Sequence, residues 1–268
     1  MSRVKFGDLY LGYDELMPSQ PEGSVLLMTG LGANRSAWLG HLSLFGKHYR
    51  TVALDHRDAG DSDPSPIPYT TIDQAQDAAG VIQALGLGRT HVVGLSMGGF
   101  VAMELALNYP ELVRSLILIC TKLSGPEAIP ATPEAAVALE RFPAMNPVEY
   151  NEKTYPLLVA PDYFERNPGR LQRLAEAAAK TMMLDDAYQR QRATEDSRST
   201  HQRIHQITAP TLVIHGEEDR LVPVENGILL AKKIPSAKLI IYPDCGHLVT
   251  MEKSREFGRD ALAFFQEQ

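Results

Sequence analysis

The chain is short of several features that would narrow its role at once. Only two cysteines, Cys120 and Cys245, occur in 268 residues. They are too few for a disulfide framework, and Cys120 closes an apolar run as a small core residue would. Positive charge is in deficit: 26 Lys and Arg against 33 Asp and Glu leave a net charge of −7. The basic footprint that a nucleic-acid partner or an anionic membrane surface requires is therefore missing. No apolar stretch approaches a membrane span in length, and the opening MSRVKFGDLYLGY lacks the apolar centre of a signal segment. Repeats and low-complexity tracts are absent. So are metal-ligand spacing and a dinucleotide fingerprint with its downstream acid. These absences point to a soluble, cytoplasmic monomer or homodimer that handles a small molecule without metal or cofactor.

What is present is ordinary globular composition, 44% hydrophobic and 22% charged, in a length that suits one domain carrying an insertion. Short runs rich in Val, Ile and Leu recur at 24–30, 49–55, 90–96, 113–120, 211–216 and 237–243. Their hydrophobicity is continuous rather than alternating, which predicts strands covered on both faces in a parallel sheet. Ahead of them VKFGDLYLGYDEL alternates around Gly7 and predicts an edge hairpin, giving eight strands in all. Helical spacing fills the intervals, as in MGGFVAMELALNYP and SREFGRDALAFFQEQ. The expected fold class is α/β: a mostly parallel eight-stranded sheet wrapped by helices.

Between Ser124 and Ile207 the strand runs stop and prolines accumulate, with short helical pieces such as NPGRLQRLAEAAAKTMM. There Asn167 is expected to cap a helix with Pro168 at its first position. We read residues 124–206 as a helical cap inserted into a core formed by 1–123 and 207–268. It is expected to lie over the carboxyl ends of the strands, where ligands bind in open α/β sheets. Phe142, Met145, Phe164 and Met182 are the candidate pocket residues. The cap is expected to select substrates while the core does the chemistry.

That chemistry is suggested by HVVGLSMGGF at 91–100. Gly-x-Ser-x-Gly between a strand and a helix is a nucleophile elbow, in which flanking Cβ atoms would clash and the helix N-terminus faces developing negative charge. A serine hydroxyl needs a base to take its proton. Of the eight histidines, His247, in a loop between the last strand and the last helix, is best placed. His201 and His205 lie in a polar stretch and are expected to be solvated. The imidazole needs an acid to set its tautomer, and Asp219 in GEEDRLVP is chosen over Glu217 and Glu218. For the oxyanion, the backbone N–H groups of Met97 and Leu31 are the candidate donors, the latter in the glycine-rich TGLGANRSAW.

TGLGANRSAW, DHRDAGDSD, GLSMGG, PTLVIHGEEDRLVP and CGHLVTMEKS, in this order, resemble the α/β-hydrolase superfamily with a helical cap. The resemblance covers nearly all of the chain outside the insertion. It implies the same assignments: Ser96, Asp219 and His247 as nucleophile, acid and base, with Leu31 and Met97 at the oxyanion. Two positions depart from the family pattern: Thr29-Gly30 replaces the usual His-Gly, and Arg57-Asp58 replaces the usual Arg-Gly. A serine rather than an aspartate at the elbow argues against haloalkane dehalogenases and epoxide hydrolases. The resemblance implies hydrolysis of carboxylic esters of small to medium acyl groups. Close alternatives are a 3-oxoadipate enol-lactonase-like lactone hydrolase and a cofactor-free haloperoxidase or perhydrolase. A non-hydrolytic lyase or ligand sensor is the reading from a different class.

Overall fold

The computed structural model describes residues 2–140, 145–197 and 200–268, with side-chain surroundings left undescribed at 196 and 197. Phe142, one of the four candidate pocket residues, lies outside the described residues. Eight strands form a single sheet in the order β1-β2-β4-β3-β5-β6-β7-β8. They are β1 (Ser2–Phe6), β2 (Leu9–Leu16), β3 (Ser24–Met28), β4 (Arg50–Leu54), β5 (Thr90–Leu95), β6 (Val113–Ile119), β7 (Thr211–Gly216) and β8 (Lys238–Tyr242). The predicted hairpin β1–β2 is antiparallel and joins β4 antiparallel, while all the other pairings are parallel.

Helices flank the sheet: α1 (Leu39–Phe45), α2 (Thr71–Ala84) and α3 (Met97–Asn108) come before the insertion, and α10 (Glu225–Lys233), α11 (Val249–Glu252) and α12 (Ser254–Gln266) after it. Side chains alternate across a strand, so each central strand feeds two cores. Leu26, Met28, Val92, Leu116, Leu118 and Val213 pack with residues of α2, α3 and α10. Val25, Leu27, Val93, Ile117, Ile119 and Ile214 face the other way, onto α1 and α12. This double coverage is why the strand runs read as continuously apolar. Helix α2 shows how tightly local chemistry sets an element's start. The Thr70 hydroxyl accepts from the Asp73 N–H at 3.2 Å, and the Asp73 carboxylate accepts from the Thr70 N–H at 2.7 Å, a reciprocal capping box.

Between β6 and β7 the described residues are helical and contain no strand. They form α4 (Pro133–Ala136), α5 (Pro147–Leu158), α6 (Tyr163–Arg166), α7 (Arg170–Ala179), α8 (Asp185–Ala193) and α9 (Thr200–Arg203), with short 3₁₀ turns between. Two expectations need correction here. Helix α7 begins at Arg170, after Gly169 at φ 71°, and Asn167 does not cap it. Asn167 closes the preceding helix instead, its amide donating to the Tyr163 carbonyl at 2.7 Å, because the left-handed glycine breaks the run between the two. His201 is not freely solvated either: its ring meets the Ser124 hydroxyl at 3.2 Å and covers Gly125.

Candidate active site

Ser96, Asp219 and His247 follow β5, β7 and β8 at the carboxyl ends of the parallel strands; Asp219 and His247 are hydrogen-bonded to each other, and no hydrogen bond joins Ser96 to either among the described residues. Ser96 follows β5 directly and sits at φ 53°, ψ −115°, a conformation that non-glycine residues rarely hold. Its neighbours enforce that corner. The Ser96 N–H donates to the Ile119 carbonyl at 2.9 Å, and the Ser96 carbonyl accepts from the Gly99 N–H at 2.8 Å and the Thr121 hydroxyl at 2.9 Å. The backbone is also packed too closely for side chains on either side. A Cβ on Gly94 would run into the Gly98 carbonyl, and one on Gly98 into the carbonyls of Met28 and Thr29. Glycine is the residue that allows α3 to start against β3 and β5 at this range.

The candidate oxyanion turn passes beside the same serine. A Cβ on Gly30 would stand 3.2 Å from the Ser96 Cβ and 3.7 Å from its Oγ. Gly30 to Ala33 form a tight turn, the Ala33 N–H donating to the Gly30 carbonyl at 3.3 Å. Gly32, at φ 70°, takes the position that a type II turn reserves for glycine. Neither the Leu31 nor the Met97 N–H finds a hydrogen-bond acceptor among the described residues. Both lie next to Ser96 in space or sequence, and both remain available as donors.

Asp219 and His247 come together as a buried pair. The His247 Nδ1–H donates to Asp219 Oδ2 at 2.7 Å, which leaves Nε2 as the free ring nitrogen. The other carboxylate oxygen, Oδ1, accepts from the N–H groups of Leu221 at 3.0 Å and Val222 at 2.8 Å. His215, at the end of β7, donates through Nε2 to the Val222 carbonyl at 2.7 Å and stands 3.5 Å from Asp219 Oδ2. Burial alone would raise the Asp219 carboxyl. The two imidazoles outweigh it and hold the group well below the ordinary carboxylate range. Glu217 is exposed, and the half-buried Glu218 donates its N–H to the Cys245 carbonyl at 2.9 Å. Cys120, His215 and Asp219 place donor atoms within 4.8 Å of one another. The His215 and Asp219 atoms already serve the bonds just described, and burial pushes the Cys120 thiol well above its usual range. That donor set reads as support beneath the pair.

The loop carrying His247 is tied to the insertion. Glu252 accepts from the Gly246 N–H at 3.0 Å with one oxygen and from the Ala160 N–H at 2.8 Å with the other. The Leu248 N–H donates to the Leu158 carbonyl at 3.1 Å, and Arg220 donates to the carbonyls of Pro156 and Val159. Phe164 packs with Val159, Ala160 and Tyr163 against Leu248, the residue after His247. Met145 and Met182 are half-buried. It is Met183, beside Met182, that packs with Ala59, Ala187 and Tyr188 on Leu31. Glu252 and Gln191 were not singled out from the sequence, and Met183 stood out only as one of the bulky apolar residues of the insertion. Ala160 for Glu252, Gly32 for Gln191 and Leu31 for Met183 lie far along the chain, and no local spacing announces those contacts.

With this geometry in view, residues 23–254 match the family model described as the alpha/beta hydrolase fold. The chain belongs to the α/β-hydrolase family. The 2-hydroxy-6-oxononadienedioate/2-hydroxy-6-oxononatrienedioate hydrolase of Burkholderia vietnamiensis is 30% identical over 271 residues, covering 98% of this chain and 91% of that protein. An esterase structure from the thermophile Thermogutta terrifontis superposes with TM-score 0.82 at 25% identity, covering 100% and 99% of the two chains. The enol-lactonase of Burkholderia xenovorans superposes with TM-score 0.83 at 23% identity, covering 99% and 100%, and shares the fold. This α/β-hydrolase carries no helix among its described residues that is long and apolar enough to cross a membrane.

Proposed function

We propose that this α/β-hydrolase cleaves carboxylic esters of small to medium acyl groups through an acyl-enzyme on Ser96, with residues 124–206 acting as the cap over the site. The observation that carries the reading is the Ser96 corner: a hydroxyl on strained backbone, with the N–H groups of Leu31 and Met97 left without acceptors beside it. In this mechanism Ser96 Oγ attacks the ester carbonyl carbon while His247 Nε2 takes its proton. The carbonyl oxygen becomes an oxyanion facing the Leu31 and Met97 N–H groups. Collapse expels the alcohol, which leaves with the proton held on His247. Water then repeats the sequence on the acyl-enzyme, and the acid is released. Asp219 keeps the ring oriented throughout and offsets its charge when it is protonated.

A second reading has a specific basis in the relative named as a 2-hydroxy-6-oxononadienedioate/2-hydroxy-6-oxononatrienedioate hydrolase: on such a substrate this chain would cleave a carbon–carbon bond next to a ketone. The test is turnover of p-nitrophenyl acetate and butyrate beside an enol-lactone and a 2-hydroxy-6-oxo-dienoate, for wild type and Ser96→Ala. Ester turnover should dominate and should fall by at least about four orders of magnitude in the variant, with the folded protein retained. Dominant turnover of the dienoate would replace this reading with the second.

A further inference from the structure

Helix α8 of the insertion reaches into the oxyanion turn. Gln191 is fully buried and both ends of its amide are engaged. Oε1 accepts from the Gly32 N–H at 3.0 Å, and Nε2 donates to the Arg57 carbonyl at 3.3 Å. We propose that Gln191 is a positioning residue for the oxyanion turn, so that the insertion takes part in catalysis as well as in substrate choice. The inference rests on the ester-hydrolase reading above and deepens it.

The physical argument starts from the turn. In a type II turn the central peptide, here the Leu31 carbonyl and the Gly32 N–H, is not fixed by the closing bond from Ala33 to Gly30. Turning that peptide over converts the turn to type I; the Leu31 N–H belongs to the preceding peptide, so Gln191 acts on it by holding the turn's conformation around Leu31 rather than by bonding it directly. With Gln191 in place, a flipped peptide would aim the Leu31 carbonyl at the Gln191 oxygen and leave two buried acceptors facing each other. The Leu31 side chain is held by the same helix, packed on Met183, Ala187 and Tyr188. One element thus fixes both the side chain of Leu31 and the peptide that follows it.

Gln191 is anchored in turn. Its neighbour Arg190 makes two parallel bonds to Asp58, from Nε at 3.0 Å and Nη2 at 2.7 Å. Asp58 sits at φ 70°, where the family pattern has glycine, and its side chain is fully buried. Strained backbone is here retained with a carboxylate that ties α8 to the core. Tyr188 and Arg192 extend the anchorage, both donating to the Leu139 carbonyl.

The test uses the full-length protein with p-nitrophenyl acetate as substrate and an alkyl trifluoromethyl ketone as inhibitor. Ser96 adds to the ketone, and the adduct presents a tetrahedral oxyanion to the turn. Gln191→Met keeps the length of the side chain and removes the acceptor. It should lower kcat by roughly ten- to a hundredfold, with KM changed by less than about threefold, and weaken the ketone by about the same factor as kcat. Asp58→Gly suits the left-handed backbone and leaves Arg190 able to reach water. It should move kcat and inhibitor affinity the same way, by roughly three- to tenfold, and it decides the matter if Gln191→Met does not fold. Unchanged kcat and unchanged ketone binding would overturn the inference, as would a rise in KM alone. Wild-type protein inert toward every ester would instead overturn the ester-hydrolase reading, which the first measurement in the series reveals.

Discussion

The two halves of the candidate site are organised by opposite means. The Ser96 half depends on atoms that are missing: Gly94 and Gly98 have no Cβ to obstruct the close approach of α3, β3 and β5, and two backbone N–H groups are left without acceptors. The His247 half depends on saturation. Asp219 receives two backbone N–H groups and an imidazole, and Glu252 receives an N–H from each side of the joint between insertion and core. Under the proposed function the difference follows from what each half would do. A site for a charge that appears only during reaction needs donors held free. A side chain that must keep one orientation through many turnovers needs every competing orientation closed off.

Three substitutions test this contrast, taken from the largest effect. Asp219→Asn keeps the shape but presents an amide where the His247 Nδ1–H donates. Turnover should fall by roughly two to four orders of magnitude in steady-state assays, with exposed Glu217→Gln nearly silent. The same variant has a signature in stability. The Asp219 carboxyl is held below the ordinary range by His247 and His215 against the effect of burial. Its contribution is complete above about pH 4 and is lost as pH falls through the lower, folded-state value. Acid unfolding of Asp219→Asn, followed by circular dichroism, should therefore be shallower than that of wild type. Equal slopes would show that the carboxylate is not held by its two imidazoles.

Gly98→Ala tests the bare half. The added methyl meets backbone carbonyls of Met28 and Thr29, which have no side-chain freedom to give way. A loss of about 3 kcal/mol or more, or failure to accumulate folded protein, is the expected outcome of denaturant titration. A variant as stable as wild type would show that the corner has room to spare. The smallest effect belongs to Glu252→Gln, which can accept only one of the two N–H groups and must turn its own amide toward the other. A loss of about 1–3 kcal/mol is expected, with turnover reduced less than in Asp219→Asn.

Much of this was legible in the residues because the physics is local. Strands buried on both faces show as unbroken apolar runs, and an elbow shows as glycines around a serine between a strand and a helix. Asp219 and His247 could be singled out because each follows a recognisable strand, although their meeting is a property of the sheet order. The rest was hidden by sequence distance or by ambiguity. Gln191 lies in the polar stretch DDAYQRQRA, and its partner Gly32 is 159 residues away. Asn167 followed by Pro168 satisfies the rules for a helix start as well as for a helix end, and Gly169 decided between them. Asp58 in place of the family's glycine gave no local hint of its counter-charge, Arg190, which is 132 residues away.

The ties between insertion and core share a property with consequences for divergence. Glu252 grips the N–H groups of Ala160 and Gly246, Arg220 the carbonyls of Pro156 and Val159, Gln191 the N–H of Gly32 and the carbonyl of Arg57. In each case a side chain on one side holds main chain on the other, and main chain is the part of a protein that substitution leaves in place. Residues 156–160 can therefore exchange their side chains, and with them the shape and polarity of whatever they face, while the joint is kept. On their main-chain side such seams are blind to sequence, so a lineage can change side chains there without unpicking the stitches between the helical segment and the sheet.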